Sequence, residues 1–347
     1  MRLDKLVFIF IAVSLLSCKK DKEEDPIVST NLSNGMVVLC EGLFQQNNSS
    51  LSWVDLSSGA VQNSFFLNKT GRLLGDTGND LQKYGSKIYI VVNVSSTIEV
   101  LSASNFESIK QIEMTNGQVS KQPRSMAFAN GKVFVSCYDG YVDVIDTTSL
   151  TVTNRIQVGQ NPEGVTYANG NIYVANSGGL NFPNVDSTLS VIDVNSEIEL
   201  MKITVGPNPG AVIADAFGDV YVISRGNYGT IPSRLKRINT ATNTMDETFN
   251  FDVSGISKMN NNFLIHDGTS VSIFNPNTES IENSNLVNTS GVTTLYHIQY
   301  SASRDRIYLL DAMNYTSLGF VRVFNSDGSY VSSYEVGLNP SKIIFYD

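Results

Sequence analysis

The sequence predicts an all-β ring of seven similar sheets, and three observations carry that expectation. First, alternating apolar residues closed by Asp, Asn or Ser occur seven times, at residues 51–55, 98–102, 142–146, 189–193, 235–239, 271–275 and 321–325. Second, the interval from Asp55 to Asn325 is 270 residues over six steps, a mean period of 45. Third, a Gly-containing turn and a β-branched, aromatic run precede most copies. They read A-N-G-K-V-F-V at 129–135, A-N-G-N-I-Y-V at 168–174 and A-F-G-D-V-Y-V at 216–222, with weaker versions at 84–90 and 303–309. Short strands repeating every 40–50 residues or so build the radial blades of a β-propeller.

The elements of each blade follow in chain order. A V-G-x-N-P segment at 158–162, 205–209 and 336–340 ends one outer strand, and its Pro opens the next inner strand. The Asn-Gly or Phe-Gly pair turns the chain back, because Gly accepts positive φ freely. The Val, Ile, Tyr and Phe run that follows suits a buried strand. Blade three is expected as strands at 123–129, 132–136, 141–146 and 151–158. The first blade lacks an inner strand of its own, since residues 36–41 already read as the second. Residues 339–347 have the Asn-Pro and apolar character of the missing one, so the chain's end is expected to close the ring in blade one and hide two sheet edges.

Residues 1–17 read as a signal peptide. Arg2 and Lys5 precede an eleven-residue apolar run at 6–16, shorter than the roughly 20 residues a membrane-spanning helix needs. L-L-S-C at 15–18 looks like a bacterial lipoprotein box, which would make Cys18 the lipidated N-terminus. The charged run K-K-D-K-E-E-D at 19–25 then belongs to a tether over residues 18–34 and resembles a surface-export signal. The expected location is the outer membrane, lipid-anchored and exposed at the cell surface. The propeller occupies residues 35–347.

With a net charge of −9 the chain carries no basic stripe, and nucleic acid is excluded as a partner. Membrane contact is expected through the lipid alone. Cys40 and Cys137 fall on second strands of non-adjacent blades and are expected as buried free thiols, too far apart to bridge. The two histidines, His266 and His297, read as hydrogen-bonded strand residues without a third metal ligand. No nucleophile elbow, Walker loop or dinucleotide fingerprint is present. No cofactor, metal site or catalytic residue is assigned.

Function is expected on one face. The connections at 41–50, 68–80, 176–187, 224–233 and 311–319 are long, and alternation of the strands sends all of them to the same end of the ring. Phe44, Phe182, Tyr228 and Tyr315 offer flat apolar surface there. Gln45, Asn47, Asn79, Asn93, Asn176, Asn181, Asn227 and Asn314 offer amide donors and acceptors. Arg124 and Arg225 add fixed-fork donors, and Glu41 and Asp76 add carboxylates. Aromatic faces rimmed by amides suit a bulky polar small molecule.

The stretches E-G-L-F-Q-Q-N-N-S-S-L-S-W-V-D (41–55) and L-G-D-T-G-N-D-L-Q-K-Y-G-S-K-I-Y-I-V-V-N (74–93) resemble the YncE-like propeller lipoproteins of Bacteroidetes. They are similar in particular to surface propellers of the BtuG type. The resemblance implies a seven-bladed, non-enzymatic receptor that captures a corrinoid such as cobalamin and hands it to a TonB-dependent transporter. The longer loops of blades four and five depart from that type. Two alternatives stay open: a lactonase- or lyase-like propeller enzyme using a metal and mouth carboxylates (Glu41, Asp76, Asp80, Glu163, Asp311), and a protein-interaction scaffold.

Overall fold

The computed structural model describes residues 32–347, and these form seven four-stranded antiparallel sheets arranged as a closed β-propeller. The signal peptide, Cys18 and the tether up to residue 31 lie outside the described residues. Blade three runs Pro123–Ala129, Lys132–Cys137, Tyr141–Asp146 and Thr151–Gln157, within a residue of the expected bounds. In blade one, Gly35–Cys40 pairs on one side with Ser50–Asp55 and on the other with the terminal strand Pro340–Tyr346. The ring is therefore latched by its own C-terminus, as the sequence predicts.

The core is not one mass but seven wedges, one between each pair of neighbouring blades. Second strands supply both faces of these wedges, which is why they read as unbroken apolar runs: Lys87–Val92, Lys132–Cys137 and Arg306–Asp311 are buried beyond their first residue. The outer strands alternate poorly and are mostly exposed, as in Ile198–Thr204. Cys40 and Cys137 are buried free thiols in separate wedges.

Two local elements depart from the expected plain loops. Phe65–Thr70 forms a short helix closed by Gly71 in the left-handed region, its N–H bonded to the Leu67 carbonyl. Phe65 and Phe66 drive it by joining the first wedge, where Phe65 packs on Trp53 and Phe106. Blade one's outer strand is correspondingly short, only Val61–Gln62. Between blades two and three, Thr115–Asn116 and Val119–Ser120 make a miniature hairpin. It is fastened from Lys121, whose Nζ lies 2.6 Å from the buried Asp143 carboxylate.

Candidate functional site: the axial cavity and its mouth

The inner strands line an axial cavity of about 750 Å³. One irregularity recurs at the mouth end of these strands. Register slips at 78/80, 123/126, 162/165, 209/212 and 295/297, and the pairing of the terminal strand with blade one slips past Ser341. A bulge re-aims the residue it contains, and here it presents Asn79, Arg124, Glu163, Gly210, Tyr296 and Ser341 to the axis. Blade six pairs without a slip. In six of the seven blades the position after the strand-opening residue thus faces the axis, and together these positions form a ring. Arg124, Glu163, Gly210 and Ser341 each follow a Pro, whereas Asn79 and Tyr296 do not, and Asn79 and Arg124 are the members of this ring expected as ligand contacts.

A charged cluster occupies the ring. Arg124 donates to Asn79 Oδ1 at 2.8 Å and to Glu163 Oε1 at 2.6 Å, and its guanidinium lies 4.6 Å over the Tyr138 ring. The Tyr138 hydroxyl donates to the other Glu163 oxygen, and Arg225 approaches that carboxylate to 3.8 Å. Burial would raise the Glu163 pKa, but Arg124, Arg225 and these hydrogen bonds outweigh it and hold the carboxyl below its usual range. Across the cavity Glu41 accepts from the Tyr296 hydroxyl at 2.8 Å. Burial dominates there and pushes Glu41 up to about 7, against the pull of Tyr296 and Arg124. Two carboxylates of one cavity therefore hold opposite protonation preferences near neutrality.

Beside this cavity lies a second pocket of about 310 Å³, bounded by Tyr138, Ser177, Leu180, Phe182, Arg225 and Tyr228. Phe182 and Tyr228 come from the long loops of blades four and five. They are 55% and 71% exposed, and their ring centroids stand 6.2 Å apart at 44°. Arg225 lines both spaces. Its reach across the ring depends on Gly210, where a Cβ would fall 2.4 Å from the guanidinium carbon.

The remaining expected contacts divide by what their side chains already do. Asn176 is fully buried, accepting from Gly159 N–H and donating to Thr188 and Ser190, and Asn93 donates to the Pro123 carbonyl. Both are scaffold amides, not mouth groups, because the blade interior consumes their donors. Asp76 accepts the backbone N–H groups of Gln45 and Asn47 and the Thr77 hydroxyl, so it ties the blade-one loop down. Asn227 and Asn314 accept from backbone N–H groups of their own loops. Asn181 donates to Gln160 beside a further rim hollow. Gln45 and Asn47 are exposed with positive φ. Phe44 is exposed on the same loop, outside both cavity linings. Tyr315 stands edge-on to Tyr296, centroids 5.8 Å apart.

Both histidines lie on strands as expected, but His266 overturns the expectation that they are hydrogen-bonded. They line the axial cavity, and His266 is 4% exposed with neither ring nitrogen hydrogen-bonded. Burial lowers His266 to about 4 and His297 to about 3, the latter helped by Lys342, His266 and Arg225. Among the described residues no three His, Cys, Asp or Glu side chains stand together as a metal site. No described helix is long and apolar enough to cross a membrane.

No protein-family model matches the chain, and no curated protein matches it. Solved structures do. A quinoprotein alcohol dehydrogenase-like protein from Bacteroides thetaiotaomicron is similar at 15% identity and a TM-score of 0.71, over 91% of this chain and 79% of that one. Hydrazine synthase from Kuenenia stuttgartiensis is similar at 17% identity and a TM-score of 0.55, over 74% of this chain and 86% of that one. At such identities the likeness is one of fold.

Proposed function

We propose that this propeller is a non-enzymatic capture protein that seats a bulky polar small molecule across its mouth. The observation that carries the reading is the Phe182–Tyr228 pair, two large rings left in water above a pocket floored by Arg225. Exposed aromatics on a rigid ring bind with little ordering cost, because a propeller holds its loops in place before the ligand arrives. Arg124 and Tyr138 both bond to Glu163 and supply a fixed polar floor, while Tyr315 and Asn181 extend the rim.

A corrinoid fits this description, being a large flat ring fringed with amides. The resemblance to YncE-like and BtuG-type propellers supports the same choice, together with a lipid anchor at Cys18, a cell-surface location and a TonB-dependent transporter as partner. Calorimetric titration of the chain with cobinamide and cobalamin tests it. Saturable heat, weakened roughly tenfold or more in F182A/Y228A, is the expected result. Absence of heat with both compounds removes the corrinoid. A pull-down from solubilised outer membranes that captures a transporter while neither compound binds would favour the scaffold alternative.

A further inference from the structure

We infer that the axial cavity is an inner subsite for a small anionic group, carboxylate or phosphate, carried as an arm of the captured molecule. Three observations on unpartnered polar groups support this. The Arg225 guanidinium makes no hydrogen bond with any described residue and meets only the 3.8 Å approach of Glu163, yet it lines the cavity. Lys342 has no ion pair with the described residues and lines the same space. The Arg124 Nε and both ring nitrogens of the buried His266 have no partner. Polar groups on a cavity wall that lack protein partners mark where an occupant belongs, most sharply where they are buried, as His266 is.

The sign of the occupant follows from the charges on the wall. The bases facing the cavity are Arg124, Arg225, Lys258 and Lys342; the acids are Glu41, Asp80 and Glu163. Asp80 is covered by the Leu81 and Met126 N–H groups and by Gln82 and Ser125, and Glu163 by Arg124 and Tyr138. Glu41 takes up a proton near neutrality. The cavity wall is therefore net cationic in a chain whose overall charge is −9. A cation would meet Arg225 and Lys342 unshielded; an anion would complete them.

The inference rests on the capture reading only for the rest of the molecule that bears the anion, and its test does not need that molecule. The chain has two histidines, both on this cavity. Histidine-selective ¹⁵N labelling of the untagged full chain therefore yields spectra that report on the cavity alone. Inorganic phosphate and succinate, titrated separately at constant ionic strength, distinguish phosphate from carboxylate as the preferred arm. The expected result is a saturable shift of both imidazoles with at least one of them, and an imidazole pKa that rises on binding. R225M should weaken that binding roughly tenfold or more. G210A, which displaces the Arg225 guanidinium without changing charge, should weaken it as well. Shifts that grow linearly with both anions, or saturable shifts unchanged in R225M and G210A, overturn the subsite. Failure here leaves corrinoid titration untouched, and failure of corrinoid binding leaves this result standing.

Discussion

At the scale of single residues, the mouth works by unequal solvation of like groups. Glu163 and Glu41 share one cavity, yet two guanidinium groups and a phenol keep the first ionised while burial favours the neutral form of the second. The sign of the pH dependence follows. Between about pH 4.5 and 7 the folded chain holds a proton on Glu41 that the unfolded chain has lost, so stability from this group is full below 4.5 and gone as pH rises through 7. His266 and His297 run the other way. Below 6.5 the unfolded chain binds protons that the folded imidazoles refuse, so their contribution is full above 6.5 and lost as pH falls through about 4 and about 3. Urea midpoints should therefore decline on acidification from pH 6.5 to 4.5, and E41Q should steepen that decline by removing the opposing gain. An E41Q profile parallel to wild type between pH 4.5 and 7 would contradict the assignment.

At the scale of elements, the insertions are fastened by specific pairs. The hairpin between blades two and three hangs on Lys121, buried beside Asp143, with Arg155 Nε 3.3 Å from the other carboxylate oxygen. Removing one member of a buried pair strands its partner. K121M should cost about 3 kcal/mol, the low end of the range because Arg155 remains. The double variant K121M/D143L should recover most of it, measured by chemical denaturation. Equal losses for single and double variants would mean that packing, and not the stranded charge, is what Lys121 supplies. Elements of this kind were only partly legible. Strand bounds could be read from the repeat because each blade restates them, whereas the Phe65–Thr70 helix and the 115–120 hairpin occur once and have no second copy to compare. The amides of Asn93 and Asn176 misled for a related reason. Their position at strand ends marked them as loop-facing, but the blade interior needs donors there, and composition does not say which way an amide turns.

At the scale of the whole molecule, closure depends on the last strand. Pro340–Tyr346 carries Ile343 into the wedge between blades seven and one, and Ile344 and Tyr346 into the wedge between one and two. Removing residues 340–347 exposes the paired edge of Gly35–Cys40 and empties parts of two wedges. The expected result is a thermal midpoint lower by roughly 10 °C or more and broad, non-cooperative unfolding. A truncated chain with an unchanged midpoint would show that the ring does not need its latch. The ring, its seven blades and this latch were all readable from periodicity, and so was the crowding of long loops at one end. The contacts within the polar ring were not, because they cross a blade boundary: Arg124 of blade three and Glu163 of blade four meet once the inner-strand bulges turn them inward, and Tyr138, just past blade three's second strand, bonds to the same carboxylate.

Hydrogen–deuterium exchange of the full chain with and without saturating cobalamin tests most directly whether the mouth between blades four and five seats the ligand. Protection concentrated in residues 177–187 and 225–233, with the outer strands unchanged, is the predicted pattern. Protection on the opposite end of the ring, or none under conditions where calorimetry shows binding, would contradict it.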